Sequence, residues 1–97
     1  MANLPSDNAN DPTVITDGYF EREVHLSRES TATFLHELAD QIAAGTELTV
    51  SSDDWRIPFE FGEPIEVEVE FTSHREKELE IEIEFEEPRG RDGLSVE

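Results

Sequence analysis

The stretch PIEVEVEFTSHREKELEIEIEFEE, residues 64–87, alternates apolar residues with glutamates, breaks for a short polar run, and then alternates again. A two-residue period is the signature of a strand with two unlike faces. Ile65, Val67, Val69 and Phe71 therefore share one face with Leu79, Ile81, Ile83 and Phe85 of a return strand, and the glutamates share the other. A hairpin that pairs Glu70 with Glu80 also pairs Glu68 with Glu82 and Glu66 with Glu84, and it sets every apolar residue opposite an apolar one. A slip of one residue would turn the carboxylates to the apolar side, so the pleat fixes the parity. Slips of two residues stay open at this level.

Opposed carboxylates repel, and the rest of the composition points the same way. The 97 residues hold 25 Asp and Glu against 7 Lys and Arg, for a formal charge of −18, and the pI is near 4.2. Lys77 is the sole lysine. At about 1 M salt the Debye length falls to roughly 3 Å, which mutes such repulsion. The expectation is a protein of a salt-rich, halophilic cytoplasm, where hydrated carboxylates maintain solubility; the alternative is an acidic protein of an ordinary mesophile. A charged sheet face also resists stacking against other sheets. Direct nucleic-acid binding and adsorption to anionic membranes are disfavoured, because both require a basic footprint.

With no cysteine, the chain has no disulfides, thiolate metal sites or cysteine nucleophiles. The N-terminus MANLPSDNANDPTVITDG lacks a basic start and an apolar run, and nowhere do 18 apolar residues follow one another. No signal peptide or membrane span is expected, and the location expected is cytoplasmic.

Outward from the hairpin, residues 1–18 are rich in Asn, Asp, Pro, Ser and Thr without periodicity and read as a polar tail. Residues 87–97, with Pro88, Gly90 and Gly93, read as a second. A domain of residues 19–86 remains. YFEREVHLS, residues 19–27, alternates Phe20, Val24 and Leu26 against Glu21, Glu23 and His25, as a half-buried strand would. Ser27 is placed to cap a helix, with Glu29 in the first turn. Phe34, Leu35, Leu38 and Ile42 form the helix's apolar stripe, and Gly45 marks its stop. ELTVSS, residues 47–52, reads as a short strand, Asp53 and Asp54 as a turn, and WRIPFEF, residues 55–61, as another strand. The expected fold is α+β: an antiparallel sheet of about five strands with one amphipathic helix packed on one face, in the order β-α-β-β-β-β. Pro58 cannot donate to a ladder, so its strand must lie at an edge, carry a bulge, or pair on one side only there.

The run from YFEREVHLSRE through FLHELADQIAAGTELTVSSDDWRIPFEF to ELEIEIEFEE resembles the amphi-Trp domain, a small domain of haloarchaeal and some bacterial proteins. Trp55 corresponds to the tryptophan in that name, and WRIPFEF is the most specific stretch. The resemblance, over roughly residues 19–86, implies a halophilic source and a compact α+β domain. It implies no catalytic residue.

Candidate sites follow from the same residues. Trp55 shares a face with Ile57, Phe59 and Phe61, which suits a core with the indole N–H reaching a rim acceptor; the sharper reading places Trp55, Phe59 and Phe61 at an interaction groove. The acidic face of Glu66, Glu68, Glu70, Glu80, Glu82 and Glu84 offers oxygen ligands to hard cations, but a flat sheet gives a diffuse field where specific sites draw on loop geometry. His25, His36 and His74 have no partner at metal-ligand spacing, and G-x-S-x-G, phosphate-cradling and dinucleotide-binding motifs do not occur. No catalytic, cofactor-binding or metal residues are expected. The leading expectation is a non-enzymatic protein–protein interaction module whose partner is unassigned, a second copy among the candidates. The alternatives are a cation-binding or nucleic-acid-mimicking acidic surface, and a ligand binder or enzyme with a pocket around Trp55, Phe59 and Phe34.

Overall fold

A computed structural model describes residues 2–3 and 13–88. The fold is α+β. Its elements are β1 (Ala2–Asn3), β2 (Thr13–Val14), α1 (Arg28–Ala44), β3 (Glu47–Ser51), β4 (Trp55–Glu60), β5 (Glu66–Thr72) and β6 (Glu78–Glu84), so from residue 13 onward the order is β-α-β-β-β-β. The strands form two sheets: a four-stranded sheet in the order β1-β3-β4-β2 and a two-stranded sheet of β5 and β6. The chain divides into two compact units, Met1–Glu60 and Phe61–Glu97.

In the first unit, α1 begins where the sequence places its cap. The Ser27 hydroxyl accepts from the Ser30 N–H at 3.1 Å, and the Ser27 carbonyl accepts from the N–H and hydroxyl of Thr31. Glu29 stands in the first turn, near the positive end of the helix dipole. At the far end the Gly45 N–H closes on the Gln41 carbonyl, and the chain leaves in an extended conformation. Phe34, Leu38, Gln41 and Ile42 are half-buried along one stripe, and α1 lies against β1 and β3. Leu35, expected on that stripe, is exposed, because a step of about 100° from Phe34 carries it off the buried arc.

β3 and β4 are antiparallel, with Leu48 opposite Phe59 and Val50 opposite Ile57. Trp55, Ile57 and Phe59 turn inward, while Arg56, Pro58 and Glu60 face solvent. The sheet is mixed and not wholly antiparallel, since β1 runs parallel to β3 and β2 parallel to β4. Both short strands come from the stretch expected to be a tail; residues 4–12 of that stretch lie outside the described residues. The strand expected over 19–27 belongs to no ladder. Alternation specifies faces and not partners, and the open side of β4 is taken by Thr13–Val14.

Pro58 is resolved by pairing on one side only. The carbonyls of Asp54 and Arg56 accept from Thr13 and Ile15, so the even-numbered residues of β4 turn their backbone groups toward β2. β2 ends its pairing at Arg56, and the missing N–H of Pro58 therefore falls where no acceptor waits. Pro58 sits opposite Thr49 in the ladder, whose own backbone groups point to the other flank. There the side chain of Gln41 replaces a strand: the Thr49 N–H donates to Gln41 Oε1 at 2.8 Å, and Gln41 Nε2 donates to the Thr49 carbonyl at 3.1 Å.

The second unit is the hairpin. Its pairing is Glu66 with Glu84, Val67 with Ile83, Glu68 with Glu82, Val69 with Ile81, Glu70 with Glu80 and Phe71 with Leu79, the register expected from the alternation. Among the described residues β5 and β6 pair with each other, so the strands expected in one sheet fall in two. The backbone before β5 is engaged at the hairpin's own base, where the Gly62 N–H donates to the Glu86 carbonyl at 2.9 Å. Gly62 is required there: a Cβ would stand 2.6 Å from Pro88 Cα. Phe61, almost fully buried, and Phe85 close the base with ring centroids 5.1 Å apart. The peptide bond from Glu63 to Pro64 is cis. The second expected tail, 87–97, lies outside the described residues apart from Glu87 and Pro88.

Candidate functional site

The neighbourhood of Trp55 is packed. Its side chain is 5% exposed, and the Phe20 ring tilts against it with centroids 5.0 Å apart. Arg22 lies over the other partner, its guanidinium carbon 5.3 Å from the Phe20 centroid, and reaches to 3.9 Å from Asp54 Oδ2. The turn SSDD is drawn in by the Ser52 N–H, which donates to the Trp55 carbonyl at 2.8 Å. Thus the segment 19–27 contributes a clamp of Phe20 and Arg22 on the tryptophan in place of a strand. Phe59 is half-buried and borders a shallow hollow of about 190 Å³ with Phe20, Ile57, Pro58, Ile15 and the turn Thr16–Gly18. Phe61 belongs to the hairpin unit, against Phe85. Phe34 is half-buried on α1.

The hairpin presents the other candidate surface. On one face stand Val67, Val69, Phe71, Leu79, Ile81 and Ile83, between 40% (Ile83) and 65% (Leu79) exposed. Six large apolar side chains, paired across two strands, thus meet solvent as one patch. On the reverse face Glu66, Glu68, Glu70, Glu80, Glu82 and Glu84 are exposed in three directly opposed pairs. Their field is read at Glu84, whose carboxyl is held above the ordinary glutamate range chiefly by Glu66 opposite, then by Glu86, with desolvation and Glu82 contributing less. The strand ends differ in charge. The turn Ser73–Lys77 carries Arg75 and Lys77 with Glu76 between them, and the base carries Glu63, Glu86 and Glu87, all exposed.

The remaining titratable side chains are dispersed. Among the described residues no three His, Asp or Glu side chains are grouped so as to hold a metal ion. His25 lies 3.9 Å from Glu23 with both exposed, and His36 borders an open hollow on α1 with Ala32, Leu35 and Ala39. The Tyr19 hydroxyl donates to Glu21 Oε1 at 2.7 Å, which raises the phenol's pKa from its usual value. No helix of the described residues is long and apolar enough to cross a membrane.

Three contributions escaped the reading of the sequence. Gln41 acts through two backbone hydrogen bonds and leaves no periodic trace. Gly62 is fixed by a close approach to Pro88, 26 positions later in the numbering. The exposure of the hairpin's apolar face was hidden because alternation identifies a face without saying what covers it.

A four-stranded mixed sheet with one flanking helix, a tryptophan clamped in its core, and a strongly amphipathic hairpin define a small acidic α+β domain. The Amphi-Trp domain family model matches residues 15–96, and the chain belongs to that family. No curated protein and no solved structure matches the chain.

Proposed function

We propose that this protein is a non-enzymatic interaction module that works through the apolar face of its β5–β6 hairpin. The observation that carries this reading is the exposure of Val67, Val69, Phe71, Leu79, Ile81 and Ile83 together on one face. From those exposures the patch measures roughly 600 Å², at the upper end of the largest patch on an ordinary monomer, a size often associated with function. A two-stranded hairpin by itself is marginal in water, so covering this face supplies stability as well as recognition. The hollow beside Phe59 is shallow and smaller than most ligand pockets.

The charge of −18 supports placing the protein in the cytoplasm of a salt-rich, archaeal type of cell, where screening allows glutamates to stand opposite one another. A second reading rests on the three directly opposed glutamate pairs of the reverse face, a concentration of negative charge that would gather cations or occupy a basic protein in place of nucleic acid.

The test compares the wild-type chain with a Val69→Glu/Ile81→Glu variant, using retention of a stoichiometric partner from high-salt lysate together with assembly mass by light scattering. Association by the wild type, with itself or another protein, that the variant loses supports the apolar-face reading. A wild type that is monomeric and retains nothing stoichiometric counts against it. Retention of basic proteins that DNA displaces, unchanged in the variant, moves the function to the glutamate face.

A further inference from the structure

We infer that the apolar face of the β5–β6 hairpin is covered by the same face of a second copy, the two hairpins running antiparallel so that each turn lies over the other's base. The inference rests on the reading above that this face is a docking surface, and it names the occupant. Its first support is area. A patch of roughly 600 Å² on each copy would bury about 1,200 Å² in a pair, the lower bound of stable specific interfaces.

The second support is shape. The face is a pleated row of alternating positions, and an identical row can interdigitate with it at about 10 Å, the ordinary spacing of packed sheets. A two-fold axis lying between the two packed faces, across the strands at the level of the Val69–Ile81 pair, makes such a contact isologous and closed. Both glutamate faces then point outward, and further stacking is opposed by charge.

The third support is charge, and it sets the orientation. Seven-residue strands separate turn and base by about 24 Å, several Debye lengths in salt, so the two ends act as distinct electrostatic sites. Arg75 and Lys77 at the turn are two of the chain's seven cationic residues and outnumber the one carboxylate between them, Glu76, whereas Glu63, Glu86 and Glu87 crowd the base. A parallel arrangement would set base on base, acid against acid. The antiparallel one sets Arg75 and Lys77 of each copy near the acidic base of the other.

The experiment uses the full chain and measures its mass by light scattering in about 0.2 M and 2 M KCl, a span over which screening of exposed charges changes several-fold. The expected mass is twice that of the 11.0 kDa chain, falling to one chain for Val69→Glu/Ile81→Glu. Because that variant can also unfold the hairpin, a second set stays on the exposed ends. Arg75→Glu/Lys77→Glu is expected to weaken the pair about tenfold at low salt, and adding Glu86→Lys/Glu87→Lys in the same chain to restore it. Contacts between Val69 and Ile81 methyls of differently labelled copies, seen by isotope-filtered NMR, support the pairing. A dimer that ignores both sets of variants, or that charge reversal strengthens, overturns it. A wild type monomeric in both salts also overturns it. In that monomer, methyl contacts from Val69 to residues 13–60 of its own chain would remove the docking surface as well, while water-exposed methyls would leave that surface intact for a different protein.

Discussion

The strands WRIPFE and EVEVEF obey the same alternation, and the molecule treats them in opposite ways. In the helix-bearing unit the odd positions Trp55, Ile57 and Phe59 turn inward and Trp55 is sealed by Phe20. In the hairpin unit the odd positions Val67, Val69 and Phe71 face solvent. The difference lies in what surrounds each strand. β4 is central, flanked by β3 and β2, with the 19–27 segment folded onto its tryptophan through Phe20. Among the described residues β5 has one partner, β6, and their sheet has two strands. Alternation therefore states that a face is apolar; the rest of the chain, or another molecule, decides whether it is dry.

The sharpest way to break this contrast is at Trp55. Trp55→Ala removes the largest buried side chain of the first unit and is expected to cost about 3–5 kcal/mol, enough to unfold a domain of this size, as read by urea denaturation with far-UV circular dichroism. If the variant remained folded with little loss, the buried unit would not depend on its aromatic clamp. Next comes Gly62→Ala, which drives a Cβ into the backbone of Pro88 and is expected to cost about 1–3 kcal/mol by overpacking. Faster amide exchange in β5 and β6, with β3 and β4 unchanged, would confine that damage to the hairpin unit. Gln41→Ala leaves both backbone groups of Thr49 without their partner and is expected to cost about 1–2 kcal/mol in the same assay. A neutral result would mean that water replaces the amide at that edge.

The smallest effect belongs to the glutamate face. Glu84 has its folded pKa raised, mainly by Glu66, so folding favours its protonated form. That contribution is fully present below the ordinary glutamate pKa and is lost as the pH rises through the raised folded value. Thermal stability at low salt is accordingly expected to increase slightly on acidification through that window, and Glu84→Gln to retain the increase at neutral pH. In molar salt the wild type and the variant should melt together. A gap that persists in brine would point to a cause other than exposed like-charge repulsion.

Several elements were legible in the sequence because their signals are local. Ser27, Glu29 and the stripe of Phe34, Leu38 and Ile42 announce a helix within one stretch of chain. The hairpin register follows from two strictly alternating runs, since any odd slip would mix carboxylates with apolar residues. What stayed hidden depends on distant partners. Ala2–Asn3 and Thr13–Val14 are two residues long, too short for any period to show, yet they convert an antiparallel pair into a mixed four-stranded sheet. Residues 19–27 alternate like a strand but serve through Phe20 and Arg22 as a clamp. Of the proposed site residues, Trp55 and Phe59 were correctly placed on one strand, and the glutamates on one face. That the opposite face stands open required the tertiary structure.

The rung formed by Thr49 and Pro58 has a consequence for how this protein ages in a crowded cell. On one flank an imino acid has no hydrogen to share, and on the other a carboxamide already occupies both groups a newcomer would need. Strand-by-strand growth, the route by which sheets lengthen into fibrils, is thus barred at the middle of this sheet, and molecules can meet there only across their surfaces.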